Sequence, residues 1–402
     1  MTVFTPKQRK LMELWKTQKL RRINLLEGSV SSGKTWISLV LWGFWLATMP
    51  QDKLYLMCGK SLTTLKRNCL IPLEEQFGSS NFQFSMAAKE AYLFGRRILL
   101  EGANDARSES KIRGLTLQGA YCDELTLFPR DFFVMLLSRL RVPGAKLIAT
   151  TNPDSPEHWL KKEYIDRRTE LDMLDVRFLL DDNTKLDPQY VHAVKSEYTG
   201  VFYERFILGK WCLAEGIIYQ QFTPSYHVKQ NAVTVGKWYL SIDYGTLNAF
   251  SAGLWCYDGK TAYRAAEYYY SGRDTHRQLT NAQYLRQVQQ LAKGHPITAV
   301  VVDPSAASFI EELRSAGFTV RKANNDVING ICQVASDLQQ GRLFFAPSCK
   351  NCIREFGLYR WDSQSGEDKP VKENDHAMDE VRYFVRTILH GGATLHRLEG
   401  GI

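Results

Sequence analysis

Residues 25–41 read LLEGSVSSGKTWISLVL, and this stretch decides the fold of the first half of the chain. Within it, GSVSSGKT matches the pattern G-x-x-x-x-G-K-[ST] of a phosphate-binding loop. An apolar strand-like segment precedes the loop and an apolar helix-like segment follows it. This order of strand, glycine-rich turn and helix is the context in which the motif binds a nucleotide triphosphate, whereas a coincidental Gly/Ser turn lacks it.

Each residue type in the loop has a chemical task. Glycines let backbone N–H groups fold inward around phosphate oxygens, and the following helix presents its positive N-terminal end to the anion. Lys34 adds a positive charge at the β- and γ-phosphates, and the Thr35 hydroxyl is a ligand for Mg²⁺. We therefore expect ATP to bind at Gly28, Ser29, Ser32, Gly33, Lys34 and Thr35.

An acidic pair ends the apolar segment GAYCDE. A phosphate-binding loop needs an acid that holds the metal and a residue that positions the attacking water. We expect Asp123 to ligate Mg²⁺ through water and Glu124 to orient and deprotonate the nucleophilic water. Adjacent acids are common on surfaces, but a pair at the end of a buried strand is costly without such a task.

Other polar residues near these motifs are weaker candidates. Arg113, just upstream of the acidic strand, could stabilise transition-state charge on a γ-phosphate of its own or a neighbouring subunit; a surface arginine is the alternative. Thr150, Thr151 and Asn152 end a strand-like segment and could sense the γ-phosphate, although Asn-Pro is also a common turn. Gln8 could read the adenine edge, but a structural role is favoured there.

The first half alternates apolar strand-like runs with helical patterns, which predicts a parallel sheet covered on both faces. The strand-like runs are RINLLEG (22–28), KLYLMCG (53–59), RRILLEG (96–102), LQGAYCDE (117–124), AKLIATTNP (145–153) and LDMLDVRFLL (171–180). A segment that is rich in Gly, Pro and polar residues and less strongly patterned than the two halves follows. We predict a first domain over residues 1–212, a linker over 213–235 and a second domain over 236–402.

The second half begins with the strand-like segment KWYLSIDYG (237–245). Residues 250–272 then read as a hairpin, with Asp258-Gly259 as the turn dipeptide. Helical patterns and the strand-like segments ITAVVVDPS, TVRKA and RLFFAP alternate after it, and a C-terminal helix begins near Asp375. The resulting order, β-β-β-α-β-α-β-α, is an RNase H-like order.

Carboxylates end two of these strands. Asp243 closes YLSID and Asp303 closes AVVVD, and burial of either carboxylate without a partner is costly. The C-terminal helix adds Asp375, His376 and Asp379 on one face, whereas its buried stripe is Val381, Phe384, Val385, Ile388 and Leu389. Acids paired with Arg382 and Arg386, or acids that cap the helix, are the alternative.

Oxygen ligands favour Mg²⁺ or Mn²⁺ over zinc. Two such ions can activate water and stabilise the leaving oxygen of a phosphodiester. We therefore expect Asp243, Asp303 and Asp379 to bind metal in a nuclease site, with His376 beside them.

The composition sets wider limits. The chain has 402 residues, which favours two domains, and its net charge of +8 weakly favours a polyanionic partner. Eight cysteines are too few for a disulfide scaffold, and "SCKNC" has no second Cys/His pair at zinc spacing, so free thiols are expected. No segment has the pattern of a signal peptide, and the most hydrophobic run, Trp36 to Met49, is too short for a membrane span. We expect a cytoplasmic protein without a membrane partner.

The chain as a whole resembles the large terminase subunit of tailed double-stranded DNA bacteriophages. The segments that carry the resemblance are GSVSSGKT, RGLTLQGAYCDE, ATTNP, GKWCLAEGIIYQQF, SIDYG, VVDPS and DHAMDEVRY. The resemblance implies an N-terminal P-loop NTPase domain of the ASCE type that translocates double-stranded DNA into the procapsid. It also implies a C-terminal RNase H-like nuclease domain that cuts concatemeric DNA.

The same resemblance implies partners and residue roles. The partners are a portal protein and a small terminase subunit, and five copies form a ring on the procapsid in the host cytoplasm; an isolated chain as a monomer is the alternative, and the mature virion is not expected to contain it. The matching positions are Lys34, Thr35, Asp123 and Glu124 for the ATPase, Arg113 for the arginine finger, Asp243, Asp303 and Asp379 for the metal acids, and His376 as an accessory.

DNA contacts are expected mainly at phosphates. The candidate cations are Lys66, Arg67, Arg139, Arg141, Arg321 and Lys322, for each of which a solvated surface position is the alternative. Three other functions stay open at this point. They are an ATP-driven helicase or remodeller whose second half only binds nucleic acid, a nuclease with a vestigial ATPase half, and a scaffold that uses ATP as a structural switch.

Overall fold

The structure, a computed structural model, describes residues 4–362 and 368–391. The chain divides into two compact units. The first comprises the chain up to His192 together with Val201–Leu213, and the second comprises Ala193–Gly200 and the chain from Ala214 onward. The domain limits inferred from composition remain a prediction. Within the described ranges, no helix is long and apolar enough to cross a membrane.

Fourteen strands are present in the described residues. They are β1 (Ile23–Gly28), β2 (Tyr55–Gly59), β3 (Phe82–Ser85), β4 (Glu90–Leu93), β5 (Arg96–Gly102), β6 (Gly119–Cys122), β7 (Lys146–Thr151), β8 (Met173–Phe178), β9 (Lys237–Asp243), β10 (Ala249–Tyr257), β11 (Ala262–Ser271), β12 (Ile297–Val302), β13 (Val320–Lys322) and β14 (Leu343–Phe345).

Helices connect most of these strands. They are α1 (Pro6–Lys16), α2 (Lys34–Ala47), α3 (Leu62–Leu65), α4 (Ile71–Phe77), α5 (Arg130–Arg139), α6 (Pro188–Glu197), α7 (Gly200–Phe206), α8 (Pro224–His227), α9 (Gly272–Thr275), α10 (Asn281–Ala292), α11 (Ala307–Ser315), α12 (Val327–Gln339), α13 (Lys350–Phe356) and α14 (His376–Phe384). Two wider π-type turns matter below, one at Lys66–Leu70 after α3 and one at Val385–Leu389 after α14.

The first unit is built on an eight-stranded sheet of order β3-β4-β5-β2-β6-β7-β1-β8. The strands from β5 to β8 in this order are all parallel, and they correspond to the six strands expected from the sequence. The α/β class with a parallel sheet is thus confirmed for this unit. The sequence pattern missed β3 and β4, which add an antiparallel hairpin at one edge.

Apolar residues cover both faces of this sheet. Leu26 of β1 packs in a core with Trp42 and Trp45 of α2, whereas Leu25 packs in a second core with Phe132 and Phe133 of α5. Successive residues of a strand point to opposite faces, so one apolar strand serves both cores. This arrangement leaves the carboxyl ends of β1, β6 and β7 as the edge at which polar side chains can gather.

The second unit contains a six-stranded sheet of order β13-β12-β9-β10-β11-β14. β9 pairs with β10 and β10 with β11 in antiparallel fashion, whereas β9, β12 and β13 are mutually parallel. Each of these strands coincides with a segment predicted as a strand, β10 starting one residue earlier than predicted, and the hairpin turns at Asp258-Gly259 as expected. The short helix α13 was not anticipated, because its seven residues are too few for a periodic pattern.

The C-terminal helix differs from its prediction in one respect. The sequence pattern predicts a buried apolar stripe with a separate polar face, but in the structure Asp379, Glu380 and Arg382 are buried like Val381. The helix lies against β9 and β10 with ion pairs on its polar side rather than solvent. The regular helix ends at Phe384 and continues as a π-type turn.

Candidate active sites

The phosphate-binding loop begins where β1 meets its neighbour β8. Gly28 has φ +131°, and a Cβ atom at this position would lie 1.9 Å from the Phe178 carbonyl oxygen, so only glycine fits. The Ser29 N–H donates to that same carbonyl at 2.8 Å. Gly33 is left-handed at φ +79° and precedes the first residue of α2. The loop therefore has the strand–turn–helix context that the motif requires.

Lys34 is buried and points back into the loop. Its Nζ donates to the Ser29 carbonyl at 2.9 Å and to Asn152 Oδ1 at 2.6 Å. Burial lowers the Lys34 pKa to about 8, while the nearby Glu124 and Asp123 carboxylates oppose that shift. Lys34 thus contacts the end of β7, as the sequence-based interpretation of these two segments requires. The amide oxygen of Asn152 holds the Lys34 ammonium group.

The acidic pair lies at the end of β6. The Thr150 hydroxyl donates to Asp123 Oδ1 at 3.0 Å, and the Glu124 N–H donates to Thr150 Oγ1 at 3.2 Å. Burial raises the pKa of both acids, that of Glu124 to about 7, where the charge on Asp123 adds to the effect. Glu124 also adopts a left-handed φ of +55°, a strained conformation for a residue with a side chain.

The remaining loop candidates make local contacts. Ser29 Oγ donates to the Ile207 carbonyl at 2.6 Å, and Ser32 Oγ donates to the Ser29 carbonyl at 2.9 Å. Thr151, which precedes the Lys34 partner Asn152 in the chain, receives the Thr126 N–H at its Oγ1 at 3.1 Å. Thr35, at the start of α2, accepts at its carbonyl from the Ser38 hydroxyl at 2.8 Å.

Two weaker candidates lie as their structural alternatives predict. Arg113 is two-thirds exposed and pairs with Glu109 at 2.5 Å, on the surface rather than at the loop. Gln8 is buried, and its Oε1 accepts from the Thr5 N–H at 3.0 Å as part of the cap of α1. Its amide nitrogen nevertheless lies beside Gly33, 3.0 Å from the position that a Cβ there would occupy.

The second site forms at the carboxyl ends of β9 and β12. These parallel neighbours pair Ile242 with Val302, and the Asp303 N–H donates to the Ile242 carbonyl at 3.3 Å. Asp243 and Asp303 are therefore adjacent across the sheet. Burial raises the Asp243 pKa to about 6, a hydrogen bond from His376 opposes the shift, and the charges of Asp379 and Asp303 add to it.

The start of α14 brings the other candidates to Asp243. His376 Nδ1 lies 2.9 Å from Asp243 Oδ2, and its Nε2 lies 3.9 Å from Asp375 Oδ1. Burial works against protonation of His376, but the hydrogen bond and charge of Asp243 prevail and raise its pKa. Glu355 Oε2 accepts the Ala377 N–H at 2.7 Å and so caps the first turn of α14.

Asp379 is one turn further along α14 and is held by two cations. Arg382 NH2 lies 2.7 Å from Asp379 Oδ1, and Lys372 Nζ lies 4.0 Å from Asp379 Oδ2 and 3.6 Å from Asp375 Oδ2. As the side chains stand, no group of three or more His, Cys, Asp or Glu in the described ranges is arranged to hold a metal ion. The acids lie in one region, with protein cations as their present partners.

Several residues of these sites escaped the sequence interpretation. Asn68 Nδ2 donates to Asp123 Oδ2 at 3.1 Å, although 55 residues separate the two in the chain. Glu380 is fully buried and pairs with Arg264 at 2.8 Å, directly beside Asp379. No motif links such partners, and the only signal for Glu380 was an acid adjacent to the apolar stripe of the helix.

Comparison with known proteins identifies the family of this chain. A family model described as "Terminase large subunit, T4likevirus-type, N-terminal" matches residues 25–223. A solved large terminase from a thermophilic bacteriophage is 37% identical, covers 96% of this chain and 100% of its own, and superposes with a TM-score of 0.91. The chain belongs to the large terminase family. Its function therefore lies in the packaging of phage DNA.

One further relative and a second structure of the same thermophilic-phage terminase agree with this assignment. The large terminase subunit of Escherichia phage T5 is 23% identical over 89% of this chain and 85% of its own length. The large terminase of the thermophilic bacteriophage has also been solved in complex with ATP-gamma-S; that structure is 37% identical, covers 96% of this chain and 100% of its own, and gives a TM-score of 0.88. Large terminases are ATPases, and many are also nucleases.

Proposed function

We propose that this large terminase hydrolyses ATP to translocate double-stranded DNA into the procapsid and cuts concatemeric DNA with a second, metal-dependent site. The observation that carries the proposal is the presence of two separate charged sites, each at the carboxyl edge of its own sheet. One contains Lys34 with Asp123 and Glu124, and the other contains Asp243 with Asp303.

The ATPase half of the proposal rests on the loop. Backbone N–H groups between Gly28 and Gly33 bind the phosphates, and Lys34 supplies charge at the β- and γ-phosphates. Thr35 and, through water, Asp123 would hold Mg²⁺. Glu124 orients the attacking water, and its pKa of about 7 suits a group that accepts a proton near neutral pH. The relative from the thermophilic bacteriophage was also solved in complex with ADP, which supports nucleotide binding by this chain.

Sensing of the γ-phosphate is assigned to the end of β7. Asn152 already bonds Lys34, and the Thr151 hydroxyl joins the hydroxyl of Thr126, which follows the acidic pair. A change in the position of Lys34 is therefore transmitted to two neighbouring segments. Gln8 keeps its cap on α1 and contacts the adenine edge from beside Gly33, and Arg113 acts on the nucleotide of a neighbouring subunit.

The nuclease half rests on the second sheet. Its order places the two acid-bearing strands β9 and β12 next to each other, as in an RNase H-like fold, and α14 brings Asp379 toward them. Asp243 is a buried carboxylate whose pKa the neighbouring charges of Asp379 and Asp303 help to raise, and a divalent cation stabilises a group of this kind. The donor set therefore fits Mg²⁺ or Mn²⁺, provided that Arg382 and Lys372 release Asp379.

Asp243, Asp303 and Asp379 would hold the ions of this site. Two bound ions would supply an activated water and charge stabilisation for the leaving oxygen. His376 holds the Asp243 carboxylate at 2.9 Å and carries a proton at the edge of the site, next to the acids. The backbone of Asp303 is fixed by its bond to the Ile242 carbonyl, so this acid has a defined position.

The wider assembly follows the family. The proposed partners are double-stranded DNA, a portal protein and a small terminase subunit, with five copies in a ring on the procapsid in the host cytoplasm. Arg113 is exposed on the first unit, which suits a role between subunits. DNA contacts to surface cations are expected to be independent of sequence and sensitive to salt.

Plasmid cutting and ATP hydrolysis by the purified protein test the two halves together. The reactions contain Mn²⁺ or Mg²⁺, with and without ATP, and use the wild type, Asp303→Asn and Lys34→Ala. We expect Asp303→Asn to lose cutting and keep ATP hydrolysis, because it removes one carboxylate charge from the second site only. Lys34→Ala is expected to lose hydrolysis and keep cutting. Asp274→Asn, an exposed acid of the same unit as Asp303, is the matched control.

The outcomes separate the alternatives. Cutting that survives Asp303→Asn would remove the nuclease assignment. ATP hydrolysis without any metal-dependent cutting by the wild type would favour a helicase or remodeller. Wild-type cutting without hydrolysis would indicate a nuclease with a vestigial ATPase half.

A further inference from the structure

Three exposed cations lie on the segment between β2 and α4, outside the nucleotide motifs. They are Lys60, Lys66 and Arg67. Within the part of the chain that the structure describes, none of them has a carboxylate at ion-pair distance. Unpaired surface cations in a cluster are suited to the phosphates of a nucleic acid backbone.

Arg67 is connected to the nucleotide site through one side chain. Its Nε donates to Asn68 Oδ1 at 3.0 Å, and Asn68 Nδ2 donates to Asp123 Oδ2 at 3.1 Å. The other oxygen of Asp123 accepts from Thr150, which also receives the Glu124 N–H. A continuous chain of hydrogen bonds therefore runs from an exposed guanidinium to the buried acidic pair.

The chemistry of the partners fixes the orientation of the Asn68 amide. Arginine only donates hydrogen bonds and an ionised carboxylate only accepts them, so the amide oxygen must face Arg67 and the amide nitrogen must face Asp123. A rotation of the amide by half a turn would lose both bonds. A shift in the position of Arg67 or of Asp123 therefore affects the other residue through Asn68.

The local backbone places this amide between its partners. Arg67 and Asn68 lie on the π-type turn Lys66–Leu70, and turns of this kind recur at functional sites because they displace side chains from regular helical positions. The terminal nitrogens of Arg67 make no hydrogen bond to any residue within the described ranges. The guanidinium can thus present that edge to a phosphate while Nε keeps its bond to Asn68.

We propose that Arg67 binds a backbone phosphate of duplex DNA and that Asn68 couples this contact to nucleotide and Mg²⁺ at Asp123. The inference rests on the proposed function in taking duplex DNA as the partner. Coupling of two binding sites is reciprocal, so DNA changes the affinity for the nucleotide by the same factor as the nucleotide changes the affinity for DNA. Asn68 is a positioning residue, and Arg67 is the residue that contacts the DNA.

Duplex affinity measured with and without nucleotide tests the coupling. A short fluorescent duplex is titrated with the full chain at low salt, in the presence of Mg²⁺ and with or without AMP-PNP. We expect AMP-PNP to change the wild-type duplex Kd by at least about fivefold, the lower end of typical coupling between sites. In Asn68→Ala and Asn68→Asp this change is expected to shrink to about twofold or less, below that range.

The variants separate the two bonds of the amide. Asn68→Asp keeps an acceptor for Arg67 and removes the donor to Asp123, so loss of coupling in this variant places the effect at the acidic pair. Arg67→Ala is expected to weaken duplex binding and to lose the effect of AMP-PNP. Arg97→Ala removes an exposed arginine that pairs with Glu90 on another strand, and it should behave as the wild type.

The results distinguish this proposal from the proposed function. A wild type that binds no duplex contradicts DNA translocation itself. A wild-type duplex Kd that does not change when AMP-PNP is added would overturn the coupling alone. Asn68 variants whose duplex Kd changes as much as that of the wild type would do the same. Circular dichroism monitors folding, and if Asn68→Ala is unfolded, Asn68→Asp and Arg67→Ala decide the question.

Discussion

At the scale of single residues, burial sets the protonation of the groups in the proposed nucleotide site. Loss of hydration raises the Glu124 pKa to about 7 and lowers the Lys34 pKa to about 8, so the pKa values of both groups lie close to neutral pH. A water-orienting carboxylate in this range is a better proton acceptor than a solvated glutamate. Its left-handed backbone is a strain that the surrounding strand ends must hold in place.

The same effect at Asp175 predicts a pH-dependent stability. Asp175 lies on β8, its Oδ1 is buried without a hydrogen bond, and burial together with the charge of Glu27 raises its pKa to about 7. The folded state therefore binds this proton more tightly than the unfolded state does. The protonated carboxyl group of Asp175 therefore favours the folded state. This contribution to stability is fully present at pH values below the pKa that Asp175 has in the unfolded chain, and it is lost as the pH rises toward 7.

Asp175→Asn removes the free-energy cost of burying the ionised Asp175 carboxylate at high pH. We expect the variant to gain on the order of 1–3 kcal/mol in free energy of unfolding at pH 8, and close to nothing at pH 4. Urea denaturation at several pH values measures the difference, with Asp52→Asn, an exposed acid, as the control. Equal stability of the Asp175→Asn variant and the wild type at pH 8 would show that the carboxyl group is solvated.

At the scale of elements, one buried carboxylate joins α14 to three strands. Glu380 accepts from Ser241 of β9, from Trp255 Nε1 of β10 at 2.9 Å and from Arg264 Nε of β11 at 3.0 Å. Gly253 leaves the space for this pair, because a Cβ there would lie 2.5 Å from Glu380 Oε1. Since Asp379 immediately precedes Glu380 in the chain, the network also determines where that acid lies.

Glu380→Gln is expected to destabilise the second unit by about 3 kcal/mol, because it leaves a buried guanidinium without its full counter-charge. Replacement of both partners, as in Arg264→Met with Glu380→Met, should recover part of this loss. Urea denaturation followed by tryptophan fluorescence provides the free energies. Glu90→Gln breaks an exposed ion pair with Arg97 and should leave stability nearly unchanged; a similarly small effect of Glu380→Gln would contradict the role of the network.

The elements differ in how well their sequences predict them. β1 and β6 are continuous apolar runs that end in polar motifs, and both were predicted because a strand buried on two faces leaves this pattern. β3 and β4 are four residues each and only partly buried at the sheet edge, so they carry little apolar signal. The burial of Glu380 on the polar side of α14 could not be predicted, because its charge is neutralised by a residue over a hundred positions away.

At the scale of the whole molecule, motifs predicted the candidate site residues and could not predict the residues that contact them from distant segments. Lys34 and Asp123 belong to patterns that local chain geometry imposes, so spacing alone reveals them. Asn68 and Arg264 matter only through contacts with distant segments, and nothing in their own neighbourhoods marks them. The sequence therefore indicates where the two candidate sites lie, while their electrostatic surroundings become visible only in the fold.

The central claim is that this large terminase has two metal-dependent sites, one on each unit. Crystals grown with ADP and Mn²⁺ and measured for anomalous scattering of manganese test it most directly. We predict manganese beside Thr35 and Asp123 with the nucleotide, and separate manganese peaks bounded by Asp243, Asp303 and Asp379. Manganese at the nucleotide alone, with Asp379 still paired to Arg382, would contradict the claim and leave the second unit without a nuclease centre.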